Sequence, residues 1–156
     1  MTRVHLQPMP AHHFAAYAQE SMQEYAEEKQ KAGVTPAEDA YGQAVAEFQT
    51  LLPAGYRTPG HHFLSIINLA GEQIGIIWLY DVQAASGAFI YDFRIFKPFR
   101  GRGCSQDALE ALFQLCRAEG IRKLSLHVFA HNGRARHVYQ KLGFRETDLQ
   151  MTKWLM

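Results

Sequence analysis

The chain opens with a short stretch, residues 3–6, that reads as a first strand and is closed by Pro8 and Pro10. Apolar residues then recur at helical spacing, at Phe14, Tyr17, Ala18, Met22 and Tyr25, while Glu20, Glu24, Glu27 and Glu28 face elsewhere. Gly33 stops that helix. Thr35-Pro36-Ala37-Glu38 has the form of a capping box with proline at the first helical position, and the stripe behind it is Tyr41, Ala44, Val45, Phe48 and Leu52. Residues 53–62 read as loop from their Gly and Pro content. Three strands are expected next, at 63–69, 73–80 and 88–96, with a turn at 70–72 and a loop at 83–87. A Gly/Arg loop at 100–104 leads into a helix with Leu109, Leu112, Phe113 and Cys116 on one face and Gly120 at its end. A strand at 123–129 follows. Asn132 is placed to cap a short helix with stripe Ala135, Val138, Tyr139 and Leu142, closed by Gly143, and a last strand is expected at 149–155. The order β-α-α-β-β-β-α-β-α-β predicts a mixed α/β domain, its central sheet covered by helices on both faces.

The length of 156 residues suits one domain, residues 1–156, and 47% apolar with 20% charged residues excludes wholesale disorder. The longest apolar run, residues 76–80, is too short to span a bilayer, and the N-terminus lacks a basic-then-apolar leader, so a cytoplasmic protein with no membrane role is expected. Cys104 and Cys116 alone build neither a disulfide framework nor a zinc cage, which suits a reducing compartment. His12-His13 and His61-His62 are adjacent pairs whose side chains diverge, and no His-x-x-x-His spacing occurs, so no metal site is expected. The net charge of +1 hides a split: residues 1–93 carry four Lys/Arg and ten Asp/Glu, residues 94–156 twelve and five. A basic half suits an anionic ligand and an acidic half a cationic one; the plainer alternative is scattered surface charge. No basic stripe interleaved with aromatics is present, which argues against a nucleic-acid partner.

Arg100-Gly101-Arg102-Gly103-Cys104-Ser105 lies between a strand and a helix. The helix that starts near Ser105 offers free N–H groups and the positive end of its dipole. Gly101 and Gly103 let the backbone come close to an anion, and Arg100 and Arg102 add charge that matches phosphate oxygens. Together these parts predict a pyrophosphate site, against the alternative of a tight turn with surface arginines. A P-loop is excluded because no Gly-Lys-Ser/Thr closes the segment, and a dinucleotide fingerprint because Gln106 stands where a third Gly is needed.

Arg100-x-x-Gly103-x-Ser105, entered from Phe93-Arg94-Ile95 and Pro98, resembles motif A of the GNAT family of N-acetyltransferases, which reads Gln/Arg-x-x-Gly-x-Gly/Ala. Leu126-His127-Val128, followed by Asn132-x-x-Ala135-x-x-x-Tyr139-x-Lys141-x-Gly143-Phe144, resembles motif B. The resemblance covers residues 63–156 as a cofactor-binding core and leaves 1–62 as a variable acceptor-side region. It implies a mostly antiparallel sheet with two splayed strands, 88–96 and 123–129, and acetyl-coenzyme A lying between them. Main-chain groups of Phe93 and Ile95, flanking Arg94, would then pair with the pantetheine, and amides of Arg100, Gly101, Arg102, Gly103, Cys104 and Ser105 would hold the pyrophosphate. Ser105 departs from the family pattern but is small and polar. Cys104 is read as loop filler, since the family's transfer needs no covalent thiol. Asn132 would bind the pantetheine or cap the second helix.

The resemblance puts Tyr139 at the general-acid position. A phenol of ordinary pKa ~10 can protonate a departing thiolate of ~8.5. The alternative is a core tyrosine, because Ala135, Val138 and Leu142 share its face. The implied reaction is direct attack of an amine on the thioester through a tetrahedral intermediate. The base would be Asp92, Tyr91 through water, or His61 or His62. Strand alternation should turn Tyr91 and Asp92 to opposite faces. The acceptor is expected to be a small-molecule or peptide amine, cationic by the acidic N-terminal half. The competing function is a noncatalytic acyl-coenzyme A binding regulatory module. Many relatives pair as homodimers, but no dimer signature is legible here.

Overall fold

The computed structural model describes residues 3–82 and 87–155. Two compact units emerge, one of Met1–His12 with Tyr56–His127, the other of His13–Gly55 with Val128–Met156.

The first unit is built on a five-stranded sheet in the order β1 (Val4–Pro8), β2 (His61–Asn68), β3 (Gln73–Val82), β4 (Gly87–Ile95), β5 (Lys123–Leu126). The first four strands pair antiparallel, and β4 pairs parallel with β5. The parallel pair is joined by helix α3 (Cys104–Ala118), the long crossover that such a pair requires. β-branched and aromatic residues fill β2 to β4, and Ile66, Ile74, Ile77, Leu109 and Leu112 are fully enclosed. Burial, then the charge of Asp81, pushes the Cys116 thiol of α3 up to about 11, so it remains an inert protonated core residue. The loop expected at 83–87 falls on residues 83–86, outside the described residues.

Pairing is irregular at two places, the first between β2 and β3, where Ile66 stands opposite Gly75 but Ile67 opposite Gln73. Gly75 lies so close to its neighbouring strand that an added Cβ would meet the Arg94 carbonyl oxygen at 2.2 Å. Gly75→Ala is therefore expected to cost about 2–3 kcal/mol, read as a drop in Tm of several degrees. The second is a bulge. Trp78 stands opposite Asp92 but Leu79 opposite Ile90, so Tyr91 is the extra residue.

In the second unit, α1 (Phe14–Lys31) and α2 (Ala37–Leu51) meet over Ala26, Ala40 and Ala44, with Tyr25 packed against them. Alanines allow the two backbones a close approach. The buried stripe of α2 is thereby centred on Ala40 and Ala44, and Tyr41 is 48% exposed, one step away from the expected stripe. The capping box does not form. Pro36, extended at ψ 149°, is itself the N-cap, and no side chain caps the helix. Because Pro36 is itself extended, the helix starts at Ala37 and Thr35 lies one position before the N-cap. Helix α4 (Gly133–Lys141) follows β5 in the chain.

The strand expected at 123–129 ends at Leu126, and no strand forms over 149–155 among the described residues. Leu149, Met151, Trp154 and Leu155 are exposed, and the Trp154 indole donates to the Gly33 carbonyl. Alternation specifies a strand only where a sheet edge supplies its hydrogen bonds. No helix among the described residues is long and apolar enough to cross a membrane.

Candidate active site

Strand β4 carries the chain to Ile95, and a tight turn, Lys97–Phe99, leads to Arg100. Gly101 and Gly103 both adopt φ +78°, the left-handed region that costs other residues energy. The Phe99 and Arg100 amides are bonded to the Phe96 and Lys97 carbonyls, and the Asp107 amide to the Gly103 carbonyl. Between them, the amides of Gly101 through Gln106 meet no backbone carbonyl among the described residues. Six successive donors thus gather at the positive end of α3, the arrangement that binds phosphate oxygens. The N-cap is Gly103, with no side-chain cap, so α3 begins earlier than the expected start near Ser105, and Ser105 lies within its first turn.

Arg100 does not aim its guanidinium simply at a ligand. Its Nε donates to the Ile95 carbonyl at 2.7 Å, tying the loop to the end of β4. Arg102 is exposed, and Cys104 is half-buried at the first position of α3. A residue absent from the sequence-derived site completes the loop. Arg3 Nε donates to Asp107 Oδ2 at 2.7 Å and Arg3 Nη2 to the Arg102 carbonyl at 2.8 Å. Arg3 thereby clamps the loop to α3 from the chain's N-terminus. Nothing local in the sequence signals a pairing across a hundred residues.

Pairing of β4 with β5 stops at Ile90 and Leu126, while β4 runs on to Ile95. The Phe96 amide bonds to the Ile74 carbonyl on β3, which sets the phase of the strand. Arg94 shares that phase, so Phe93 and Ile95 turn their main-chain groups to the opposite edge, as pairing with an extended ligand requires. The Ile95 carbonyl already accepts from Arg100.

The bulge corrects the reading of Tyr91 and Asp92. Both stand opposite Trp78, and the Tyr91 ring stacks on Trp78 with centroids 4.9 Å apart and planes at 28°. They share one face rather than dividing between two. Asp92 Oδ2 accepts from Arg94 Nη2 at 3.2 Å on that face. His61 is also on it. The Trp78 indole, which can only donate, bonds to His61 Nδ1 at 3.0 Å. The ring is left with its proton on Nε2, and burial, then the charge of His62, holds its pKa below the ordinary histidine value. His61 is a neutral donor.

In the second unit, Asn132 Oδ1 accepts from the Ala135 amide at 3.4 Å, so Asn132 caps α4. Tyr139 is half-buried, its ring edge-on to Phe144 at 5.6 Å. Of the acids expected to draw a cation, Glu28 is engaged by His131 at 2.5 Å and Lys31 at 3.7 Å. No group of three or more His, Cys, Asp or Glu among the described residues is placed to hold a metal ion.

Comparisons with known proteins agree with this architecture. The model of the acetyltransferase (GNAT) family matches residues 14–144. YycN of Bacillus subtilis (strain 168), described as an uncharacterized N-acetyltransferase, is 45% identical over 152 residues, covering 96% of this chain and 97% of its own. YdgE of the same organism, described likewise, is 35% identical over 152 residues with the same coverage. The crystal structure of Bacillus subtilis YycN superposes with a TM-score of 0.93 at 44% identity, covering 98% of this chain and 99% of that one. A mixed sheet with flanking helices, a glycine-bearing loop at a helix N-terminus and these matches together make the chain a member of the GNAT acetyltransferase family.

Proposed function

We propose that this protein is an N-acetyltransferase that moves the acetyl group of acetyl-coenzyme A onto a primary amine by direct attack. The observation that carries the reading is the run of amides from Gly101 through Gln106, none bonded to a backbone carbonyl among the described residues. They suit a diphosphate, whose charge the α3 dipole and Arg102 also favour. Phe93 and Ile95 offer main-chain groups for the pantetheine arm. Acetyl-coenzyme A would supply the activated acyl group.

The attacking amine must shed a proton and the departing thiolate must gain one. Tyr139 is the proposed acid. Asp92 is the proposed acceptor, with the neighbouring Arg94 fixing its carboxylate. His61 contributes a donor only. Asp92→Asn is expected to lower kcat/KM about 100-fold in steady-state kinetics. An unchanged kcat/KM would assign the proton to water.

Two measurements test the reading together. Calorimetry with coenzyme A reads the loop, and thiol release from acetyl-coenzyme A across an amine panel reads the transfer. Binding with turnover is expected. Binding without turnover by any amine would make the protein a regulatory acyl-coenzyme A module instead.

A further inference from the structure

We infer that the ring cluster around Tyr91 seats a second, protonated amine of the acceptor, so that the preferred substrates are di- or polyamines rather than monoamines. This rests on the transferase reading above and names its substrate class.

The register assembles the cluster. His61 stands opposite Tyr80 and Tyr80 opposite Phe89, while Phe63 stands opposite Trp78. All therefore lie on one face of the sheet, and the bulge adds Tyr91 to them. Tyr91 lies 4.9 Å from Trp78, 4.8 Å from Phe89, 5.8 Å from His61 and 6.3 Å from Tyr80, centroid to centroid. Trp78 is 3% exposed and Tyr91 is 37% exposed. Rings packed around Tyr91 fix its plane, while the residue itself stays exposed to a ligand. A ring face presents negative charge and attracts ammonium groups.

The charge state of the cluster favours such a ligand. A protonated imidazole among the rings would repel a cation, but the Trp78 indole occupies His61 Nδ1 and keeps that ring neutral. On the same face Asp92 and Arg94 offset one another at 3.2 Å. What remains is an uncharged, electron-rich surface, which attracts an ammonium group without competing for it with a fixed positive charge. The nucleophilic amine must itself be neutral, so the cation seated here is the acceptor's other amine. Tyr91 also adjoins Asp92, the proposed proton acceptor, so a short tether joins the two amine positions.

The test compares 1,6-diaminohexane with hexylamine, and uses tetramethylammonium, which cannot be acetylated, as a separate binding probe. The wild-type enzyme should favour the diamine about 2- to 30-fold in KM, and tetramethylammonium should compete with it and perturb the Tyr91 ring signals in NMR spectra. Tyr91→Leu should erase the diamine preference while the KM for acetyl-coenzyme A stays constant. Tyr91→Phe should retain the preference, since the ring is kept and the phenol is lost. The inference is overturned by equal KM values for the two amines, by a preference for phenylethylamine over the diamine, by equal losses for both amines in Tyr91→Leu, or by Tyr91→Phe behaving like Tyr91→Leu. Calorimetry with coenzyme A on the same samples separates the two readings. If coenzyme A fails to bind, the transferase reading falls. If it binds and the diamine is not preferred, only this inference falls.

Discussion

Gly103→Val should weaken coenzyme A binding by at least about 100-fold, because several charge-assisted hydrogen bonds of ~1.5–3 kcal/mol each would be re-aimed. Gly103 holds φ +78°, a region in which a β-branched residue is a true outlier. An added Cβ would stand 3.0 Å from Arg3 Nη2. Moving that guanidinium loosens its bonds to Asp107 and to the Arg102 carbonyl. The valine thus both strains the loop and displaces its clamp. Gly101 provides the control. It has the same φ, but nothing lies within 4 Å of its would-be Cβ. Gly101→Ala should therefore carry only the conformational penalty, about 1–2 kcal/mol. Calorimetric titration of both variants, with thermal melts to confirm folding, checks the contrast. Equal binding by Gly103→Val and wild type would move the phosphate site elsewhere.

Tyr139→Phe should lower kcat about 100-fold while leaving the Kd for coenzyme A within about twofold, the signature of a lost general acid. The substitution is clean in packing terms. Tyr139 meets Phe144 through its ring, 5.6 Å edge-on, and phenylalanine preserves that contact. A change in kcat is then assigned to the hydroxyl. Steady-state kinetics with a saturating amine, alongside calorimetry, makes the measurement. Unchanged turnover would return Tyr139 to the role of a packing residue.

What was legible in the chain was what short-range physics encodes. Helical spacing marked α1, α2, α3 and α4, and Gly and Pro marked the turns between strands. The loop at 100–105 could be read because its glycines and the helix behind it are sequence neighbours. The unread features all depend on partners far along the chain. Arg3 reaches Asp107 and Arg102 only after β1 has joined the sheet. The bulge at Tyr91 is a property of the β3–β4 register, and strict alternation within β4 gives no sign of it. The tautomer of His61 is set by Trp78 on the next strand. Thr35 and Pro36 show a local signal overruled locally, because the motif was present and the proline's own conformation defeated it. Residues 149–155 show the reverse case, a strand-like pattern without strand pairing.

Acetyl transfer by this protein depends on a diphosphate meeting the first turn of α3. Titration of isotope-labelled protein with coenzyme A, followed by amide NMR, observes that meeting directly. The amides of Gly101 through Gln106 should show the largest shifts, and Arg3→Ala should diminish them. Shifts centred on other residues, with these six amides unmoved at saturation, would contradict the account.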